Sequence, residues 1–445
     1  MTSPSTEQVS PQTLRKVIIA AGIGNFVEWF DFAVYGFLAT TIAQQFFPSG
    51  DASAALLKTF AVFAVAFAFR PLGGIFFGML GDRIGRKRTL AMTILLMAAA
   101  TTLIGLLPTY AAIGVTAPIL LSLIRCAQGF SAGGEYAGAC AYLMEHAPSD
   151  KRAWYGSFVP VSTFSAFAAA AVVAYALEAS LSTEAMGSWG WRLPFLIAAP
   201  LGLVGLYLRW KLDETPAFQA VKEEHAVAHS PLRETLRNHG AAICCLGAFV
   251  SLTALSFYMF TTYFATYLQV AGGLNRAMAL LVSLIALIFA AAICPVAGLY
   301  SDRVGRRVTV MTACVLLIVV VYPSFLMASS GSFAASIVGV MLLAVGAVLC
   351  GVVTAALLSE TFPTRTRYTA SAITYNMAYT IFGGTAPLVA TWLISTTGSN
   401  LSPAFYLIAV ALLALAGGLA LPETSRMSLH DVGGEQTSTA PLLSR

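Results

Sequence analysis

Four charged side chains stand in stretches of this sequence that are otherwise apolar: Glu28 and Asp31 in NFVEWFDFAVYG, Arg70 in FAFRPLGG, and Glu135 in GFSAGGEYAGA. A charge at the centre of a bilayer costs roughly 2.5–3.5 kcal/mol even on lenient insertion scales, so such residues are read first as ion or proton sites. Glu28, Asp31 and Tyr35 recur at i, i+3 and i+7 and so share one helix face. The chemistry open to this set is reversible protonation of a carboxylate and capture of an anionic group by a guanidinium. An anion competing for Arg70 would change the proton affinity of the acid beside it, which links proton uptake to solute binding. Permanent pairing that only orients helices is the plainer alternative, above all for Asp31.

Further candidates lie in other apolar stretches. Arg125, with Gln128 one turn away, either holds an anionic solute or pairs outward. FYMFTTYFATYL at 257–268 brings Tyr258, Tyr263 and Tyr267, and Tyr375 and Asn376 add polar groups further on. These side chains suit a cavity wall with hydrogen bonds and cation–π faces. An interfacial aromatic belt is the alternative, and it suits Tyr267 best. Gly129, Gly133, Gly134 and Gly138 follow small-xxx-small spacing, which close helix packing explains without a ligand.

The elements that must position these groups are membrane helices. The chain is 445 residues long, 58% hydrophobic and only 10% charged, against about 25% charged in soluble proteins. Twelve apolar segments are long enough to span a bilayer: 17–45, 54–80, 89–107, 115–145, 154–178, 193–210, 240–268, 277–300, 308–328, 333–359, 370–394 and 403–421. With the first residues inside, only Lys58, Arg192 and Arg276 of the 25 Lys and Arg fall on the outer side, and Arg70 and Arg125 lie within spans. That asymmetry sets both termini in the cytoplasm and explains the net charge of +5 without nucleic acid. Counting 1.5 Å per residue puts Glu28, Arg70 and Glu135 each about 15–16 Å deep, in one layer on three helices. All seven cysteines fall in spans without metal-ligand spacing, and the five histidines fall in loops or tails, so no histidine serves as a mid-membrane proton carrier.

The segments divide six and six about the polar stretch 211–239, and the halves echo one another. GMLGDRIGRKRT at 78–89 matches GLYSDRVGRRVT at 298–309, EHAPSDKR at 145–152 matches ETFPTRTR at 360–367, and LDET at 212–215 matches LPET at 421–424. Repeated halves mark secondary transporters, whose solute binds where the halves meet. Gly78, Asp82, Arg83, Gly85 and Arg86, with Asp302, Arg303, Gly305 and Arg306 in the second copy, resemble the gating-loop motif of the major facilitator superfamily. In physical terms Gly85 permits a tight turn, the basic cluster meets anionic headgroups, and Asp82 is placed to pair with a helix N-terminus or an Arg. The resemblance implies an all-α membrane protein of the major facilitator fold, with twelve transmembrane helices in two six-helix bundles. The expected division is an N-terminal bundle at 1–210, a cytoplasmic loop at 211–239, a C-terminal bundle at 240–421 and a flexible tail at 422–445.

NFVEWFDFAVYGF, FRPLGGIFFGMLGDRIGRK and RCAQGFSAGGEYAGA occur in that order, joined by WGWRLPF and IFGGTAP. Together they resemble the metabolite:proton symporter branch, whose members carry alpha-ketoglutarate, citrate, shikimate, or proline and betaine. The resemblance implies a secondary transporter of the inner (plasma) membrane, not an enzyme. It would act as a monomer and need no cofactor beyond the proton gradient, and its partners would be protons, a small solute and lipid. The expected proton carriers are Glu135 with Glu28 or Asp31, with Arg70 as counter-ion or solute ligand. Two in-span arginines, and the resemblance of 257–268 to the alpha-ketoglutarate permease, point to a carboxylate such as alpha-ketoglutarate or citrate. The alternative is a zwitterion such as proline or glycine betaine, for which carboxylates and aromatics serve equally. A tail without heptads weighs against an osmosensing role of that kind. Drug efflux is disfavoured because YGSFVPVSTFSAFAAAAVVAYAL in the fifth span has glycine only at its start. No metal spacing, nucleophile elbow or phosphate loop supports a membrane enzyme.

Overall fold

The computed structural model describes residues 11–84, 86–134, 140, 143–144, 147–211, 231–362 and 367–425; side chains are described at all of these except 11–17, 19–21, 24, 78–79, 81–88, 90, 134, 149, 208–211, 231–239 and 367–369. Every described element is helical. Nine helices, or ten if a bent pair counts as one span, are long and apolar enough to cross a membrane among the described residues. Each of the twelve expected spans falls on a described helix over all or part of its length.

The first half contains α1 (Pro11–Phe37), α2 (Ala39–Phe46), α3 (Ala52–Ala68), α4 (Arg70–Ile84), α5 (Arg86–Leu106), α6 (Thr116–Ser131), α7 (Arg152–Ser180) and α8 (Leu193–Lys211). The second contains α9 (Pro231–Tyr258), α10 (Phe264–Val270), α11 (Arg276–Val304), α12 (Arg306–Ala328), α13 (Phe333–Glu360), α14 (Arg367–Ala378), α15 (Ala386–Thr397) and α16 (Ser402–Leu419). Of the segment expected as a loop, 211–239, residues 231–239 are helical. α9 already begins at Pro231, a residue suited to a first helical turn because its missing N–H has no partner to lose there. Residues 212–230 lie outside the described set, as do 426–445 of the expected tail.

Several spans are interrupted, and four of the interruptions matter for the site. α1 and α2 meet at a 63° bend beside Leu38. α3 gives way to α4 at Phe69, because Pro71 has no N–H for the Phe67 carbonyl one turn back. α9 passes into α10 through a π-helical turn, Met259–Tyr263. A second π turn, Tyr379–Gly383, separates α14 from α15. Such turns are rare and recur at functional sites.

The two halves pack along two seams, α7 against α11 and α3 against α15. Both ends of the seam are bridged by polar contacts. At one end Arg276 of α11 reaches Glu178 of α7 at 3.7 Å and donates to Gln44 of α2 at 3.1 Å. At the other, the Asp302 carboxylate accepts from the Ala153 and Trp154 amides at the start of α7, at 3.0 and 2.9 Å. Asp302 of the second copy thus pairs with a helix N-terminus, while Asp82, for which that pairing was expected, has its side chain outside the described residues. Arg306 binds Asp302 at 2.9 Å and grips Glu360 with Nε and Nη2, both at 3.1 Å. Glu360 in turn faces Arg152 of the first half at 3.9 Å. Gly305 (φ +95°) turns the chain between α11 and α12, and Glu423 fills the space where its side chain would stand. In the first copy Gly85 and the side chains of Gly78, Asp82, Arg83 and Arg86 lie outside the described residues.

Candidate functional site

The site is built on one face of α1. Asn25 donates through Nδ2 to the hydroxyls of Ser162 and Thr163 on α7, at 2.8 and 2.7 Å, and accepts from Trp29 Nε1 at 2.9 Å. This anchor sets the rotation of α1 and the tilt of the Trp29 indole. Glu28 and Asp31 follow on the same helix and are both buried, at 4% and 2% exposure.

Each acid faces one buried arginine. Arg70 Nη2 lies 3.6 Å from Glu28 Oε1 and donates to the Ala132 carbonyl at 3.3 Å. Its guanidinium sits over Phe67 at 5.2 Å, Phe32 at 5.5 Å and Trp29 at 5.9 Å. Three tyrosines of the second half, Tyr258, Tyr375 and Tyr379, stand in its field. Nε and Nη1 of Arg70 have no hydrogen-bond acceptor, and the buried Tyr258 hydroxyl closes no hydrogen bond. Arg125 lies wholly within the first half. Its Nη1 donates to Gln128 Oε1 at 2.8 Å, and Gln128 donates to the Thr101 hydroxyl at 2.5 Å. The guanidinium covers Tyr35 at 4.1 Å, Phe63 at 5.2 Å and Phe32 at 5.5 Å. Asp31 stands beside Arg125 and Thr101, yet neither carboxylate oxygen closes a hydrogen bond. The Phe32 ring therefore separates two arginine–acid layers.

Close backbone approach makes this geometry possible. Gly73 meets the backbone of Phe130, Gly129 that of Ala66, and Gly133 that of Arg70. The packing expected of Gly129 and Gly133 is present, and it presses α6 against the α3–α4 break that carries Arg70. On the far side, Gly383 and Gly384 leave room for the rings of Tyr258 and Phe67. The Phe67 carbonyl that Pro71 leaves without its helical donor accepts instead from the Thr380 hydroxyl at 3.0 Å. Asn376 Nδ2 donates across the seam to the Gly133 carbonyl at 3.2 Å.

The structure sorts the sequence candidates. Glu28, Asp31, Arg70, Arg125, Gln128, Tyr35, Tyr258 and Asn376 come together, while Glu135 lies outside the described residues. Tyr35 donates to the Thr59 carbonyl at 2.9 Å, which holds its ring under Arg125. Tyr263 sits apart, its ring 6.1 Å from Phe60 and 6.0 Å from Tyr267. Arg125 does not pair outward. Tyr267 is no belt residue: it is 1% exposed and donates to the Asn400 carbonyl at 2.9 Å. Sequence reasoning missed Trp29, Phe32, Phe67, Tyr379 and Thr380. The proline of FRPLGG and the paired glycines of IFGGTAP were the signals, since each marks a backbone that must be met by a neighbour.

Two buried cations against two buried acids, ringed by aromatic faces of both halves, can bind a carboxylate, hold a cationic group against rings and take up a proton. Among the described residues no cluster of His, Cys, Asp and Glu is arranged to hold a metal ion. The family model of the Major Facilitator Superfamily matches residues 21–384 and 295–444. The proline/betaine transporter of Salmonella typhimurium is 39% identical over 94% of this chain and 85% of its own length. The ectoine/proline transporter ProP of Corynebacterium glutamicum is 36% identical over 96% and 88%. In fold the chain resembles the proton:xylose symporter XylE bound to 6-bromo-6-deoxy-D-glucose, with a TM-score of 0.74 at 17% identity over 95% of this chain and 99% of that one. A partially occluded, inward-open XylE from E. coli aligns at 0.72 and 18% identity over 93% and 99%. Both the family match and the full-length relatives lead to one conclusion: this chain belongs to the major facilitator superfamily and is a multi-pass membrane transporter, not an enzyme.

Proposed function

We propose that the protein is a proton-coupled symporter that takes up a small zwitterionic solute of the proline and glycine betaine type. The observation that carries this reading is that each arginine has a buried acid near it: Arg70 pairs with Glu28 at 3.6 Å, and Asp31 stands in the field of Arg125. The carboxylate reading from sequence rested on two in-span arginines and on the resemblance of 257–268 to the alpha-ketoglutarate permease. With an acid facing each one, the described site is close to neutral, which favours a solute of no net charge over a di- or tricarboxylate. The names of the relatives, which are proline, betaine and ectoine transporters, support the same choice.

In this mechanism the solute carboxylate takes the two unfilled donors of Arg70. Its cationic group rests against the rings of Trp29, Tyr258 and Tyr379, where cation–π attraction is worth roughly 0.5–2 kcal/mol. Binding draws Arg70 away from Glu28, which then holds the proton. Asp31, beside Arg125 behind Phe32, is the second proton site, and Glu135 keeps the carrier role expected of it. The Asp302–Arg306–Glu360 and Arg276–Glu178 bridges open alternately. Residues 1–210 and 240–421 move as two bundles joined by the 211–239 segment in a monomer. The setting is the inner membrane with both termini inside, and the proton gradient is the sole energy source.

Liposomes with an imposed inward proton gradient test the reading. Proline or glycine betaine should acidify the interior and accumulate, and Arg70→Lys should abolish both, because an ammonium cannot replace the guanidinium fork. A response to alpha-ketoglutarate or citrate alone restores the carboxylate reading, and silence across the panel removes proton coupling.

A further inference from the structure

Glu28 faces more than Arg70. It also lines a cavity of about 10 Å³ with Thr93 of α5 and Ser131 at the end of α6, closed by apolar side chains that include Met97. Every lining residue belongs to the first half of the chain. A space of that size seats about one water, and a buried water typically takes about 3 hydrogen bonds. The Ser131 hydroxyl donates to the Thr93 carbonyl at 2.7 Å, which leaves its oxygen lone pairs to accept from a water, and Glu28 lines the same space. Thr89, one turn further along the same face of α5 towards Arg86, is buried as well.

We propose that this cavity binds a single water that relays the proton of Glu28, on a path inside the first half and separate from the face of Arg70 that meets the solute. The inference rests on the proton-coupled reading above. In the step, the Glu28 carboxyl gives its proton to the water while the water passes one of its own to the Thr93 hydroxyl, whose own proton goes to a solvent water on the Thr89 side; Ser131, whose proton is held by the Thr93 carbonyl, only accepts from the bound water and fixes it in place. No charge accumulates in the relay. The arrangement explains how proton and solute can leave at different moments: three tyrosines of the second half stand in the field of Arg70, while the cavity walls come from α1, α5 and α6 and the turn after it.

The test uses the full chain carrying Ser131→Ala and Thr93→Val together. Loss of a hydrogen bond to a buried ionisable group corresponds to about tenfold, so gradient-driven proline uptake should fall about tenfold while proline exchange at equal pH persists. The second arm needs no solute. The infrared carboxyl band of Glu28, identified by its absence in Glu28→Gln, should exchange its proton for deuterium about tenfold more slowly in the double variant. Met97→Phe, which fills the cavity and keeps both hydroxyls, should slow it equally. Deuterium exchange as fast as in the unaltered chain, in the double variant and in Met97→Phe, overturns the relay. Loss of proline exchange together with uptake also overturns it, because the pair would then be shaping the solute site. A protein that carries no solute of the panel sinks the symport reading, and the Glu28 band still decides between a bound water and a dry cavity.

Discussion

The Thr380 hydroxyl in the second half of the chain donates at 3.0 Å to the Phe67 carbonyl in the first. That carbonyl lacks its helical donor because the residue four places on is Pro71. A buried acceptor left without a partner costs about 1–3 kcal/mol. Thr380→Val should therefore weaken the closed seam by that amount, and Pro71→Ala should offset the loss by restoring the missing N–H. Thermal unfolding of the two single variants and the double variant in detergent measures the coupling, and additive effects would break the link.

Glu360 joins the halves at the Asp302 end, where it binds Arg306 twice and faces Arg152. Removing one member of a buried ion pair typically costs 3–5 kcal/mol, and about 3 kcal/mol is expected here because Asp302 still holds Arg306. Glu360→Gln should populate a state open at that end. Labelling of a cysteine introduced at Phe158 would report it, and unchanged labelling rates would show that the bridge does not gate.

The contact between α4 and α6 tolerates no side chain at Gly73, where a Cβ would run into the Phe130 backbone. Overpacking of this kind costs typically about 1–3 kcal/mol, and here it also displaces Arg70. Gly73→Ala should lower both the unfolding temperature and transport, whereas Gly50→Ala, which meets nothing, should do neither. Equal behaviour of the two would remove the close approach from the account.

Glu423 provides the pH dependence. Burial raises the proton affinity of its carboxyl, but the amides of Ser425, Arg306 and Arg307 outweigh that and hold it below the usual glutamate range. A carboxyl depressed in the folded state adds stability above its unfolded value of about 4.3 and loses it as pH falls through the lower folded value. Acidification below about pH 4 should thus loosen the start of α12 in the unaltered chain. Glu423→Gln should flatten that part of the profile of melting temperature against pH; a parallel profile would exclude the carboxylate.

Much of the fold was legible because a bilayer leaves few choices. Spans must be long, apolar and helical, so their number and the place of each in-span charge follow from the sequence alone. The repeated loops were legible too: the Asp302 motif lies where a latch was expected, and its partners Arg152, Glu360 and Glu423 come from the other two echoed markers. What the sequence determined is that Glu28, Asp31, Arg70 and Glu135 fall in one membrane layer, with Arg125 in a span but ten residues from Glu135. Tertiary structure alone decided that Arg70 pairs with Glu28 while Asp31 stands in the field of Arg125, with Phe32 between the two arginines. One helical turn separates the two acids, so their choice of partner depends on the rotation that Asn25 imposes on α1 and on how closely the glycines let α4 and α6 approach. Those are contacts between residues far apart in the chain, and no local spacing encodes them.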